Sequence, residues 1–118
     1  MISAIVAVDK NYAIGNKGNL VVKNPIDMAF FSGFTQGKDL LCGYKTWETL
    51  PVLVNRSVQV DPSKMGKCII IDCLFNGGDF VIIGGAKTYA RWAGEVDELF
   101  ITFNDVEVEQ ADSYFPIT

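Results

Sequence analysis

Apolar positions along this chain fall into short runs punctuated by glycine and proline, and the runs switch between two periods. Ile2–Val8 (I-S-A-I-V-A-V) is apolar apart from Ser3 and predicts a buried strand suited to the centre of a sheet. Phe80–Ile83 (F-V-I-I) reads the same way, being β-branched and too short for a helix. Between them, Ile26, Phe30 and Phe34 recur at i, i+4 and i+8. They predict a helix that packs this stripe on the sheet, with Asn24 as its cap and Pro25 at its first position. Shorter strands are predicted at Asp39–Gly43, Ser57–Val60, Cys68–Asp72 and Val96–Asn104. In the last, Leu99, Ile101 and Phe103 share one face, and Phe100, Thr102 and Asn104 the other. Helices are predicted from Tyr44 to Leu50-Pro51 and over Ala86–Ala93, with Gly94 as a stop. Asp9 to Asn24 is irregular by composition, and a loop of that length in a small domain points to a functional lid. Strands alternating with helices predict one α/β domain, residues 1–118, with a mostly parallel central sheet flanked by helices.

Composition narrows the chemistry. A chain of 118 residues buries about two-thirds of its unfolded surface, enough for one core. The formal charge of −4 argues against a general nucleic-acid binder, which needs a basic face. No apolar run reaches membrane-spanning length, and the N-terminus runs straight into Asp9 without a basic start, so the expected location is cytoplasmic. Cys42, Cys68 and Cys73 lack zinc spacing and read as reduced thiols. The chain has no histidine, which removes Ser/His and Cys/His catalysis and most zinc sites; no metal is expected.

Two stretches look chemical. V-I-I-G-G-A-K (81–87) and C-G-Y-K-T (42–46) each run a strand through glycine into a helix. Such a junction leaves backbone N–H groups and open space for a phosphate, or else is only a tight turn. A pair of them suggests a ligand with two phosphate groups, such as a dinucleotide. Asp27 puts a carboxylate at the margin of an apolar surface beside Phe31, where it is either a helix-dipole partner or a functional acid. Arg56 is either a surface cation or a bidentate grip on a carboxylate.

In their order, these segments resemble dihydrofolate reductase. The resemblance runs through M-I-S-A-I-V-A-V-D-K-N-Y-A-I-G-N, N-P-I-D-M-A-F-F-S-G-F-T, G-Y-K-T-W-E-T-L-P, L-V-N-R, V-I-I-G-G-A-K-T-Y and D-E-L-F-I-T-F-N-D-V-E-V-E-Q-A-D-S-Y-F-P, nearly the whole chain. It implies that family's fold, C-terminally shortened, and NADPH-dependent reduction of 7,8-dihydrofolate. It implies Asp27, Thr102 and Leu20 as catalytic positions. Ile5, Asp27, Met28, Phe31, Leu50, Leu53, Arg56, Ile83, Tyr89 and Thr102 would face substrate or antifolates. Ala7, Ile14 and Gly15 would meet the nicotinamide end of the cofactor. Gly43, Tyr44, Lys45, Thr46, Gly84, Gly85, Ala86 and Lys87 would take its phosphates.

The chain departs from the family pattern in four places. Val21-Val22 replaces the usual Pro-Trp of the mobile loop, and Tyr44 stands where an arginine commonly meets the 2′-phosphate. The helix before the Phe80 strand reads as deleted. The last two strands, a hairpin, are absent, which predicts an open sheet edge at Thr102 and a homodimer through Leu99–Asn104. The alternatives are a non-catalytic nucleotide- or pterin-binding or assembly protein of the same fold, or a reductase of a related pterin or pyrimidine substrate.

Overall fold

The computed structural model describes residues 1–16, 19–20, 25–49, 55–62, 64–103 and 113–115. Its frame is a five-stranded sheet of β1 (Ile2–Val8), β4 (Asp39–Cys42), β5 (Ser57–Val60), β6 (Phe80–Gly84) and β7 (Glu98–Phe103), in the order β5-β4-β6-β1-β7. Every pairing in it is parallel. β1 is buried almost along its length, as a strand with neighbours on both sides and layers on both faces must be. The sheet is therefore the mostly parallel one that the alternation of elements predicts.

Two cores flank it. On one face, Ala4, Val6, Val8, Leu41, Phe80 and Ile82 meet Ile70, Phe75, Tyr89 and Trp92. Phe75 stacks on Phe80 at 4.1 Å, and Trp92 meets the Phe80 ring edge-to-face at 5.5 Å. On the other face, Ile5, Leu40 and Val81 carry Phe31 and Phe34 of α1 (Pro25–Thr35) together with Ile83 and Phe100. Pro25 opens α1, as its fixed φ favours. Phe34 packs on the sheet as expected, but Phe31 turns inward in place of Phe30, which is exposed and stacks on Phe34 at 5.8 Å; the Ile26 side chain lies outside the described residues.

Three expectations are corrected. Cys68–Asp72 is not a strand, and the helix before the Phe80 strand is not deleted. α3 (Lys67–Ile69) runs there into a π-helical turn, Ile70–Leu74. Ile70, Ile71, Leu74 and Phe75 turn to the core while Cys68, Ile69, Asp72 and Cys73 face out, a helical spacing that outweighs the β propensity of three isoleucines. Lys67 fastens this segment to α4 (Ala86–Trp92) and its exit by donating to the Arg91 carbonyl and to Glu95. The third correction concerns 9–24, which is not all loop. β2 (Ala13–Asn16) and β3 (Asn19–Leu20) lie in it, and β8 (Ser113–Tyr114) joins them in a second sheet, order β3-β2-β8.

β7 ends the main sheet, with β1 as its one neighbour among the described residues. Leu99 and Phe103 on it are about half exposed. Asn104, at the end of the predicted strand, lies outside the described residues.

Phe80 is 1 % exposed and holds Phe75 and Trp92 together. Phe80→Ala is expected to lower the unfolding free energy in urea by about 3–5 kcal/mol. A loss under about 1 kcal/mol would show that this stack is not the core.

Candidate functional site

The carboxyl ends of β1, β4, β6 and β7 come together at one end of the main sheet. In open α/β sheets ligands bind outside such ends, where the helices that follow begin. α2 (Tyr44–Thr49) leaves β4 through Gly43, and α4 leaves β6 through Gly84-Gly85. The two turns are clasped, because the Gly43 N–H donates to the Gly84 carbonyl at 2.7 Å. A Cβ on Gly43 would come within 2.9 Å of Thr88 Oγ1. One on Gly84, whose φ is +146°, would lie 3.1 Å from Thr46 Oγ1. A Cβ on Gly85 would lie 3.2 Å from the same oxygen. The Gly84–Gly85 peptide is cis.

Glycine is therefore a steric requirement at this clasp. Turn geometry alone accounts for the glycines, and the same geometry leaves the first amides of two helices side by side. Lys45, Tyr44 and Lys87 are exposed there, and Thr46 is half-buried. The cradle fits a pyrophosphate: small, rimmed by amides and flanked by two cations.

The inner face of the sheet supplies the neighbouring surface. Ile5 pairs with Phe100, and Ala7 with Thr102, so Ile5, Ala7, Phe100 and Thr102 share the face on which Phe31 and Ile83 pack. Asp27 and Met28 lie in the first turn of α1, and Leu20 lies in β3. The side chains of these three, together with Leu50 and Leu53, fall outside the described residues. Arg56 donates from Nη1 to Thr35 Oγ1 at 3.0 Å, and the Thr35 hydroxyl donates to the Phe31 carbonyl at 2.8 Å. That chain fixes the guanidinium to the carboxyl end of α1. Tyr89 is buried in the opposite core, and its hydroxyl crosses to the Ile5 carbonyl at 2.8 Å. Burial foremost, and then nearby Cys42, push the Tyr89 hydroxyl above its ordinary range, so it stays a donor. Ile14 and Gly15 lie in β2, with Ile14 packed in the core.

The sequence reading missed Thr35, Thr88 and Asp61. Asp61, at the end of β5, pairs with Arg91 and accepts from Trp92 Nε1 at 3.2 Å, holding α4 against the sheet. No local signal marks Thr88 or Asp61, whose partners are distant in sequence. Among the described residues no His, Cys, Asp and Glu cluster could hold a metal, and no helix is long and apolar enough to cross a membrane. A cleft of about 490 Å³ opens at the amino ends of the strands, between Phe34, Phe100, Asp39, Asp79 and Glu98, remote from the glycine clasp.

Comparison with known proteins agrees with this arrangement. The family model described as dihydrofolate reductase matches residues 1–118. The chain belongs to the dihydrofolate reductase family. It is 31 % identical to the dihydrofolate reductase of Buchnera aphidicola subsp. Acyrthosiphon pisum over 98 % of its own length and 78 % of that protein's. The Neisseria meningitidis serogroup B enzyme is 34 % identical, with the same coverages. The Bacillus subtilis enzyme is 33 % identical over 98 % of this chain and 76 % of its own. Dihydrofolate reductases thus resemble this chain from β1 through β7, and the glycine clasp falls within the matched region.

Cys42 ends β4 just before the clasp, and burial pushes its thiol up to about 11 from an ordinary 9.0. Unfolded chains lose this proton first, so folding stability is expected to decline as pH rises from about 9 to 11. At pH 8 a thiol reagent should modify the exposed Cys68 and Cys73 and spare Cys42 until the chain unfolds. Three equally reactive thiols in the folded protein would contradict this burial.

Proposed function

We propose that this protein reduces 7,8-dihydrofolate to 5,6,7,8-tetrahydrofolate with NADPH. The glycine clasp at the carboxyl ends of the parallel strands is the observation that carries the reading, because it brings the starts of α2 and α4 together with Lys45 and Lys87 exposed beside them, groups suited to a dinucleotide's pyrophosphate. Family membership supports the substrate.

Thr46 and the amides of Gly84, Gly85 and Ala86 hold the pyrophosphate, with Lys45 and Lys87 balancing its charge. Ala7 and Ile14 present backbone groups to the carboxamide. NADPH, when bound, supplies the hydride that reaches C6 of the pterin. Asp27 pairs with N3 and the 2-amino group and favours the proton taken up at N5, while Thr102 orients Asp27. Leu20 covers the reacting edge. Ile5, Met28, Phe31, Leu50, Leu53 and Ile83 exclude water around the ring, and Tyr89 fixes the Ile5 carbonyl. Arg56, held by Thr35, grips the α-carboxylate of the glutamate tail.

The expected result is dihydrofolate-dependent loss of NADPH absorbance that falls about 100-fold or more in Asp27→Asn at neutral pH, with NADPH affinity nearly unchanged. NADPH binding without turnover would favour a non-catalytic nucleotide-binding role. Equal loss of turnover and cofactor affinity in the variant would displace Asp27 from the substrate half.

Among the described residues β7 has no partner on its outer side, and that edge fits a second copy of the chain. Antiparallel self-pairing centred on Phe100 sets Leu99 against Ile101 and Glu98 against Thr102, with no like charges opposed. Sedimentation velocity at micromolar concentration is expected to give a dimer; a monomer rejects this arrangement.

A further inference from the structure

We infer that Asp9 is a positioning residue for the nicotinamide end of the cofactor. The inference rests on the reading above. Asp9 follows the last residue of β1, and its carboxylate is fully buried. One oxygen, Oδ1, accepts from the backbone N–H groups of both Asn11 and Ala13 at 2.8 Å. The backbone repeats the tie: the Asp9 N–H donates to the Ala13 carbonyl, and the Tyr12 N–H to the Asp9 carbonyl, both at 3.2 Å. These bonds close residues 9–13 into a turn that reverses the chain.

The turn sets where Ile14 lies. Tyr12 within it has a φ of +65°, a left-handed conformation that costs a non-glycine residue on the order of 1 kcal/mol. Two backbone N–H groups bonded to one buried side-chain oxygen offset that cost. Tyr12 is braced further by an edge-to-face contact with Phe103 of β7 at 5.5 Å and by the Phe115 N–H, which donates to its carbonyl at 2.7 Å. β2 then starts at Ala13 and places Ile14 in the core beside Val8. Ala7 and Ile14 flank the Asp9 turn on its two sides. A relaxed turn moves one against the other, and a carboxamide bound by both loses one of its partners. The glycine clasp is built from the ends of β4 and β6, and Phe31 belongs to α1, so a relaxed turn acts first on the carboxamide contacts.

Asp9→Ala is expected to weaken NADPH binding tenfold or more, read by fluorescence titration. The affinity for a diaminopteridine inhibitor should stay within about twofold, and Asp9→Asn, which keeps an acceptor oxygen, should stay near wild type for both. Amide hydrogen exchange at Asn11 and Ala13 is expected to be slow in the wild-type chain and fast in Asp9→Ala. Unchanged NADPH affinity in Asp9→Ala, or equal weakening of both ligands, overturns the inference. So does fast exchange at both amides in the wild type, a measurement that requires no variant to fold. A wild-type chain that exchanges slowly but binds no NADPH would instead sink the reductase reading and leave the turn as described.

Discussion

The hydrogen bond from the Gly43 amide to the Gly84 carbonyl organises this structure more than any other contact. It joins the ends of two adjacent parallel strands where both must give way to helices. It can be this short only because neither turn carries a side chain, with Thr88 and Thr46 filling the space to within van der Waals contact. A register shift between Leu41 and Cys42 accompanies it, so the strand ends do not run on in step. The helix behind the second turn, α4, is then fixed from its outer end: Asp61 holds Arg91 and Trp92, and Lys67 holds the exit of α4.

The two faces of the sheet divide the labour. The face with Phe75, Phe80 and Trp92 is closed and supplies stability through aromatic packing. The face with Ile5, Phe31 and Ile83 packs on α1 among the described residues, and at the end of that helix Thr35 tethers Arg56. Tyr89 links the faces, with its ring in the closed core and its hydroxyl on the Ile5 carbonyl of the central strand. Few polar groups on a rigid apolar wall is the usual composition of a small-molecule site.

Much of this was legible in the sequence. β1 and β6 announced themselves as unbroken apolar runs, and the glycines marked both junctions. The face assignment of β7 followed from alternation: Phe100 lies inward with Ile5, and Leu99 and Phe103 are exposed at the edge. Cys68–Asp72 misled because three consecutive isoleucines carry a strand propensity; the deciding spacing included Leu74 and Phe75, beyond the run itself. Phe30 misled because an i, i+4, i+8 stripe does not say which of two adjacent aromatic stripes faces the sheet. The link from Arg56 to Thr35, the place of Thr88 beside Gly43 and the ties of Asp61 were invisible because the partners are far apart in sequence.

The strand order has a consequence for synthesis. β1 emerges from the ribosome first, yet its neighbours β6 and β7 begin at Phe80 and Glu98. At about 5–20 residues per second, this apolar segment has no permanent partner for at least several seconds. During translation a strand that is buried in the folded sheet thus stays unshielded until late. Of the strands in the main sheet, β1 therefore has the longest wait for its neighbours, and exposed apolar strands of this kind are what chaperones shield.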